Sequence, residues 1–89
     1  MHLRDFRPPE GPPGTLICNP PYGERIGEEK ELQSVYELLG QVLRERCHGW
    51  TAYVFTGNAR LARRLRLDPV ERIPFFNGKI PCQLLKFAL

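Results

Sequence analysis

The chain lacks any apolar run near the roughly 20 residues that a membrane-spanning helix needs. Arg4, Asp5 and Arg7 interrupt what would otherwise be a secretory signal core. Cysteine is scarce and odd in number: Cys18, Cys47 and Cys82 stand far apart, with no Cys-x-x-Cys pair and no ligand spacing to His2 or His48. That pattern argues against a metal site or a disulfide framework and suits reduced, buried thiols in a cytoplasmic protein with no membrane partner. No block of one-signed charge occurs. Thirteen Lys and Arg against ten Asp and Glu leave a net charge of +3, which permits contact with a polyanion without requiring it. There is no internal repeat, and 42% hydrophobic with 26% charged residues excludes wholesale disorder. Eighty-nine residues make at most one thin domain.

Proline, by contrast, is plentiful and localised. Pro8, Pro9, Pro12 and Pro13 with Gly11 and Gly14 exclude a helix or a central strand, so residues 1–14 read as a proline-rich loop or linker and 15–89 as the folded part. Thr15 to Cys18 is a short apolar run without alternation, the pattern of a strand buried on both faces, as in a parallel sheet. Pro20 and Pro21 stop it, because proline cannot continue a ladder. From Glu28 to about Cys47 the residues Leu32, Val35, Tyr36, Leu39, Val42 and Leu43 form one apolar helical face. Acidic residues load its first turn and Arg44 and Arg46 its last, complementing the helix dipole. Gly40 in its interior implies close packing against a sheet.

Thr51 to Thr56 reads as a second buried strand, and Asn58 as the cap of a short helix to about Leu65. Val70 to Phe76 reads as a third strand, with Pro74 at an edge or bulge. Asn77-Gly78 marks a tight hairpin, from which Lys79 to Phe87 returns as an antiparallel fourth strand. Strand–helix–strand units predict parallel pairing and an α/β fold.

The chemistry concentrates at Asn19-Pro20-Pro21-Tyr22, just past the first strand, where open α/β sheets bind ligands. An exocyclic amine on a nucleobase is a poor nucleophile, since its lone pair is delocalised into the ring. Two preorganised acceptors aimed at its N–H groups favour a tetrahedral nitrogen and stabilise the positive charge that develops on alkylation. The Asn19 side-chain oxygen and the Pro20 carbonyl supply such a pair, held by the restricted φ of consecutive prolines. Tyr22 offers a flat face for an extruded base.

The longer run from Leu16 through Asn19-Pro20-Pro21-Tyr22-Gly23-Glu24-Arg25-Ile26-Gly27 resembles the fourth motif of the ribosomal RNA guanine-N2 methyltransferases, which are often joined to an RNA-binding THUMP domain. The resemblance continues through the following helix, Gly49-Trp50, Thr56-Gly57-Asn58 and Asn77-Gly78. N-P-P-Y alone is shared with adenine-N6 and glutamine methyltransferases; G-E-R-I-G is what points to the guanine-N2 group. The resemblance implies a class I, Rossmann-like methyltransferase sheet, of which residues 15–89 supply the last four strands with a terminal antiparallel hairpin. It implies S-adenosylmethionine as methyl donor and ribosomal RNA as partner. Asn19, Pro20 and Tyr22 carry over as the amine-contacting and base-stacking residues. Asn19 also borders the cofactor, and Asp5 is the carboxylate in place to contact its adenine. Pro21, Gly23, Glu24 and Arg25 are candidate substrate-binding residues of the loop, with a local Glu24–Arg25 ion pair on the surface as the plainer alternative.

The family's glycine-rich cofactor loop has no counterpart among these residues. The expected function is therefore the substrate-side half of the enzyme, inactive alone and completed by an N-terminal half or a separate chain. Arg60, Arg63 and Arg64 form a candidate phosphate-contacting face, with a solvated helix surface as the plainer alternative. Phe75 and Phe76 read as core or sheet-edge packing. A first strand left unpaired on one side invites self-association. Two rivals stand beside this reading: a non-catalytic RNA-binding or scaffold protein, and a methyltransferase acting on DNA adenine or protein glutamine.

Overall fold

The structure, a computed structural model, describes residues 6–20 and 28–89. Strand β1 spans Thr15–Cys18, helix α1 Glu28–Arg46, β2 Thr51–Thr56, the short helix α2 Ala59–Ala62, β3 Glu71–Asn77 and β4 Ile80–Ala88. A 3-10 turn at Arg63–Leu65 extends α2. Both of the first two strands fall where the apolar runs and their proline and glycine stops put them.

The four strands form one sheet in the order β1-β2-β4-β3. β1 lies parallel to β2, with Cys18 beside Val54. β2 pairs antiparallel with β4, and β4 antiparallel with β3. The hairpin therefore folds back so that its second strand, not its first, meets β2. Its turn differs by one residue from the Asn-Gly reading. Asn77 pairs with Ile80, so Gly78 and Lys79 are the two central residues. Among them only Gly78 has positive φ, 66°. Glycine at the first centre is the demand of a type II′ turn, whereas Asn-Gly at both centres would be type I′.

Both helices pack on one face of the sheet. Tyr36, Leu39 and Leu43 of α1, with Cys47 just past its end, meet Ala52 and Val54 of β2, Leu85 and Phe87 of β4, and Leu61 and Leu65. The polar tip of Tyr36 is satisfied by a 2.8 Å hydrogen bond with the buried Thr56 hydroxyl. Asn58 caps α2 by accepting from the amides of Arg60 and Leu61, both at 3.0 Å. Gly40 allows a close approach, but its neighbour is not the sheet. A Cβ there would stand 2.1 Å from the Leu65 carbonyl oxygen, so the glycine lets the 3-10 turn sit directly on α1. The Arg44 guanidinium donates to the same oxygen.

The expectation of strands buried on both faces is corrected. In β1, Thr15 and Ile17 are exposed, Ile17 to 81%. Strand alternation puts Ile17, Tyr53, Phe55, Phe75, Leu84 and Ile73 together on the second face, which no helix covers among the described residues. Part of that face packs on itself, with Phe55 and Phe75 ring centroids 4.3 Å apart and Lys86 Nζ 5.9 Å from the Tyr53 ring centre. The unalternating apolar run encodes burial from both sides; the described residues supply cover for one.

Candidate active site at the carboxyl end of the sheet

The carboxyl ends of the parallel strands β1 and β2 face the same way, and the chain leaves each through a turn. β1 passes into Asn19 and Pro20, the first exposed and the second half-buried. β2 passes into Gly57 and Asn58. Thr56 is fixed there from two sides, by Tyr36 and by the Asn58 amide, which donates to its hydroxyl at 3.2 Å. The beginning of β4 and the end of β3 rise at the same end, because β4 runs antiparallel to β2. Asn19 thus stands at the strand end where a ligand is expected, exposed rather than packed into protein. The remaining loop residues, Pro21, Tyr22, Gly23, Glu24 and Arg25, lie outside the described residues, as does Asp5.

Cys18 precedes Asn19 and is half-buried. Burial pushes its thiol up, and negative charge on Cys47 would add to the rise. Cys47 is likewise raised by burial, with Arg46 opposing. Protonated thiols are poor nucleophiles, so the sulfur beside the site is packing and not chemistry. Among the described residues no cluster of three or more His, Cys, Asp or Glu could hold a metal ion, and no helix is long and apolar enough to cross a membrane.

The arginines expected on one face of α2 do border a common hollow. Arg60, Arg63, Arg64 and Arg66 line a depression of about 450 Å³ with Gln33. Arg64 also reaches Glu37 of α1 at 3.7 Å, an exposed pair worth at most about 1 kcal/mol. Sequence reasoning places Arg66 near this basic surface and misses one member of it, Arg72. Arg66 and Arg72 join Arg63 around a second hollow, between α2 and β3. Arg72 carries no local signal for this: the β3–β4 register puts it on the helix side beside Leu85. Phe76 departs from the expectation of core or edge packing: it is 73% exposed, and only Phe75 packs as expected.

A half-sheet with two helices on one face, a proline-stopped strand end bearing Asn19 and a final antiparallel strand inserted beside β2 is the arrangement of a class I methyltransferase. The RMKL-like methyltransferase domain (UPF0020) matches residues 1–86. The chain belongs to this family. A Synechocystis protein bearing the name of an RNA methyltransferase is 48% identical over the whole chain, which spans 23% of that relative. The ribosomal RNA large subunit methyltransferase K/L of Pseudomonas paraeruginosa is 47% identical over 89% of the chain, which matches 11% of its length. The RMKL-like fold is shared with the methyltransferase SMU.472, whose crystal structure is a complex with SAH, at a TM-score of 0.86 and 26% identity over 99% of this chain and 23% of that one. The chain therefore spans less than a quarter of the length of these proteins, and its fold is the corresponding part of a class I methyltransferase sheet.

Proposed function

We propose that this chain forms the substrate side of an S-adenosylmethionine-dependent methyltransferase that modifies the N2 amine of guanine in ribosomal RNA. The observation that carries the reading is an exposed Asn19, followed by Pro20, at the carboxyl end of a strand in a sheet of this family. The RNA assignment draws on the relatives' names, and the N2 assignment on the G-E-R-I-G extension after the N-P-P-Y run. Against a non-catalytic scaffold stands the retention of the whole N-P-P-Y run, and the DNA-adenine alternative is not better supported than RNA.

The methyl donor supplies an electrophilic methyl group on a sulfonium. The described residues fit one wall of the site that would hold it, Asn19 at the end of β1, and not the groups that would grip its nucleoside. The wall's work is on the acceptor. The Asn19 Oδ1 and Pro20 carbonyl oxygens would accept hydrogen bonds from the amine, aim the nitrogen lone pair outward and stabilise its charge as the new C–N bond forms and the donor's C–S bond breaks to leave a neutral thioether. Tyr22 lies against the base and holds it in that orientation. The amine proton then leaves toward one of the same acceptors or solvent. The bare face of the sheet and the free edge of β1 are the surfaces on which the rest of the catalytic domain packs, in the same polypeptide or a separate one. In this reading the 89 residues alone do not transfer methyl groups.

The test is methyl transfer from labelled S-adenosylmethionine to ribosomal RNA by the complete polypeptide that carries this domain, with nucleoside analysis of the product. N2-methylguanosine is expected, and Asn19→Ala lowers kcat by about 100-fold or more. N6-methyladenosine as the product would overturn the substrate, and full activity of the variant would overturn the mechanism. Calorimetric titration of the 89-residue chain with S-adenosylmethionine is expected to show no tight binding; tight binding would refute the half-site reading.

A further inference from the structure

Two hollows lie on the helix side of the β3–β4 hairpin, and they adjoin. The upper one, about 480 Å³, is walled by Phe76, Pro74 and Pro81 of the hairpin and by Asn58. The lower one, about 460 Å³, is walled by Arg63, Arg66 and Arg72, with Asp68. Ala59 and Gln83 border both, so the two form one groove beside α2. The groove exists because α2 is only four residues long and leaves the hairpin uncovered. Its upper end opens at the same end of the sheet as Asn19. Across the strand order, Asn19 and Phe76 are separated by three strand spacings, about 14 Å.

Three features give the groove one kind of occupant. Phe76 is 73% exposed and paired across the hairpin with the exposed Pro81, a flat apolar wall in water. Three guanidinium groups face one carboxylate in the lower hollow, a net positive lining that complements a polyanion. Arg66 is held at φ 54°, the left-handed conformation that glycine or asparagine adopts more easily after a helix. Arg66 lines the hollow from a backbone position where glycine is the easier choice. An aromatic platform followed by a basic track is how proteins hold single-stranded nucleic acid: bases stack, phosphates pair with cations.

We propose that this groove binds a single-stranded RNA segment flanking the modified nucleotide, with a base stacked on Phe76 and phosphates held by Arg63, Arg66 and Arg72. The proposal rests on the RNA reading above and assigns that substrate a second contact, remote from the Asn19 site.

Fluorescence anisotropy of a fluorescein-labelled oligouridylate titrated with the 89-residue chain tests it. All four side chains are on the surface, and far-ultraviolet circular dichroism reports whether each variant stays folded. Phe76→Ala is expected to weaken binding about 5- to 150-fold, and Phe76→Trp to restore it. The triple variant Arg63→Gln, Arg66→Gln, Arg72→Gln is expected to flatten the slope of log affinity against log salt by about 2. If folded Phe76→Ala and the triple variant bind as the unmutated chain does, the groove is refuted while the RNA reading stands. Loss of binding in the triple variant with none in Phe76→Ala refutes the stacking platform and leaves a site for any polyanion. An unmutated chain that binds no RNA at low salt refutes the groove, while the RNA reading stands or falls on the methyl-transfer assay of the complete polypeptide.

Discussion

Gly40 makes the sharpest energetic test, because two effects of known sign oppose each other there. Replacing an interior helical glycine with alanine ordinarily stabilises by about 1 kcal/mol, through backbone entropy. Here the new Cβ would lie 2.1 Å from the Leu65 carbonyl oxygen and 2.7 Å from its Cα. A carbon–oxygen contact needs about 3.3 Å, so the 3-10 turn must retreat by roughly 1.2 Å. The obstacle is backbone and cannot rotate away. Leu65 and Leu61 are fully buried against α1 and the sheet, and a gap of this size forfeits up to about half of the dispersion energy at each opened contact. Overpacking of this kind costs about 1–3 kcal/mol, and a backbone obstacle belongs at the upper end. The Arg44 hydrogen bond to the same oxygen is displaced as well. After the helix gain, Gly40→Ala should destabilise by about 2 kcal/mol, a large part of the 4–13 kcal/mol available to a chain of this length. Urea unfolding followed by circular dichroism measures it. An unchanged or higher midpoint would refute the close approach of α1 and the turn.

Two further outcomes follow from the thiols and the open edge. Cys18 and Cys47 have thiols raised above the ordinary value by burial, so the folded state holds their protons more tightly than the unfolded chain does. Their contribution is complete below the unfolded pKa of about 8.5 and is lost as pH rises through the folded values; the urea midpoint should fall in that window, and a Cys18→Ala, Cys47→Ala variant should show a flatter profile. Both thiols should also resist alkylation at neutral pH in the folded chain. β1 ends the sheet with its second edge unpaired among the described residues and Ile17 81% exposed, so the isolated chain should self-associate, and Ile17→Lys should reduce this. Sedimentation velocity across a concentration series checks the point, and a monomer throughout would refute it.

Much of the candidate site was legible because its signals are local. Pro20 ends β1 whatever surrounds it, and the strand's apolar run locates Asn19 at a carboxyl end. The basic face of α2 was legible from helical spacing, but its extension to Arg72 required the hairpin to fold back beside it. Phe76 looked like packing because an aromatic in a strand usually is; the shortness of α2 is what leaves it exposed.

Periodicity, proline stops and an asparagine cap are properties of a few neighbouring residues, and these determined β1, α1, β2 and the capped start of α2. Partnership is a property of residues far apart in the chain, and only the tertiary structure decided it. It put β4 rather than β3 beside β2, brought the Leu65 carbonyl onto Gly40 and joined Arg63, Arg66 and Arg72 around one groove. It also left one face of the sheet without a covering helix among the described residues. An apolar run states that both sides of a strand seek cover, but not which segment supplies it.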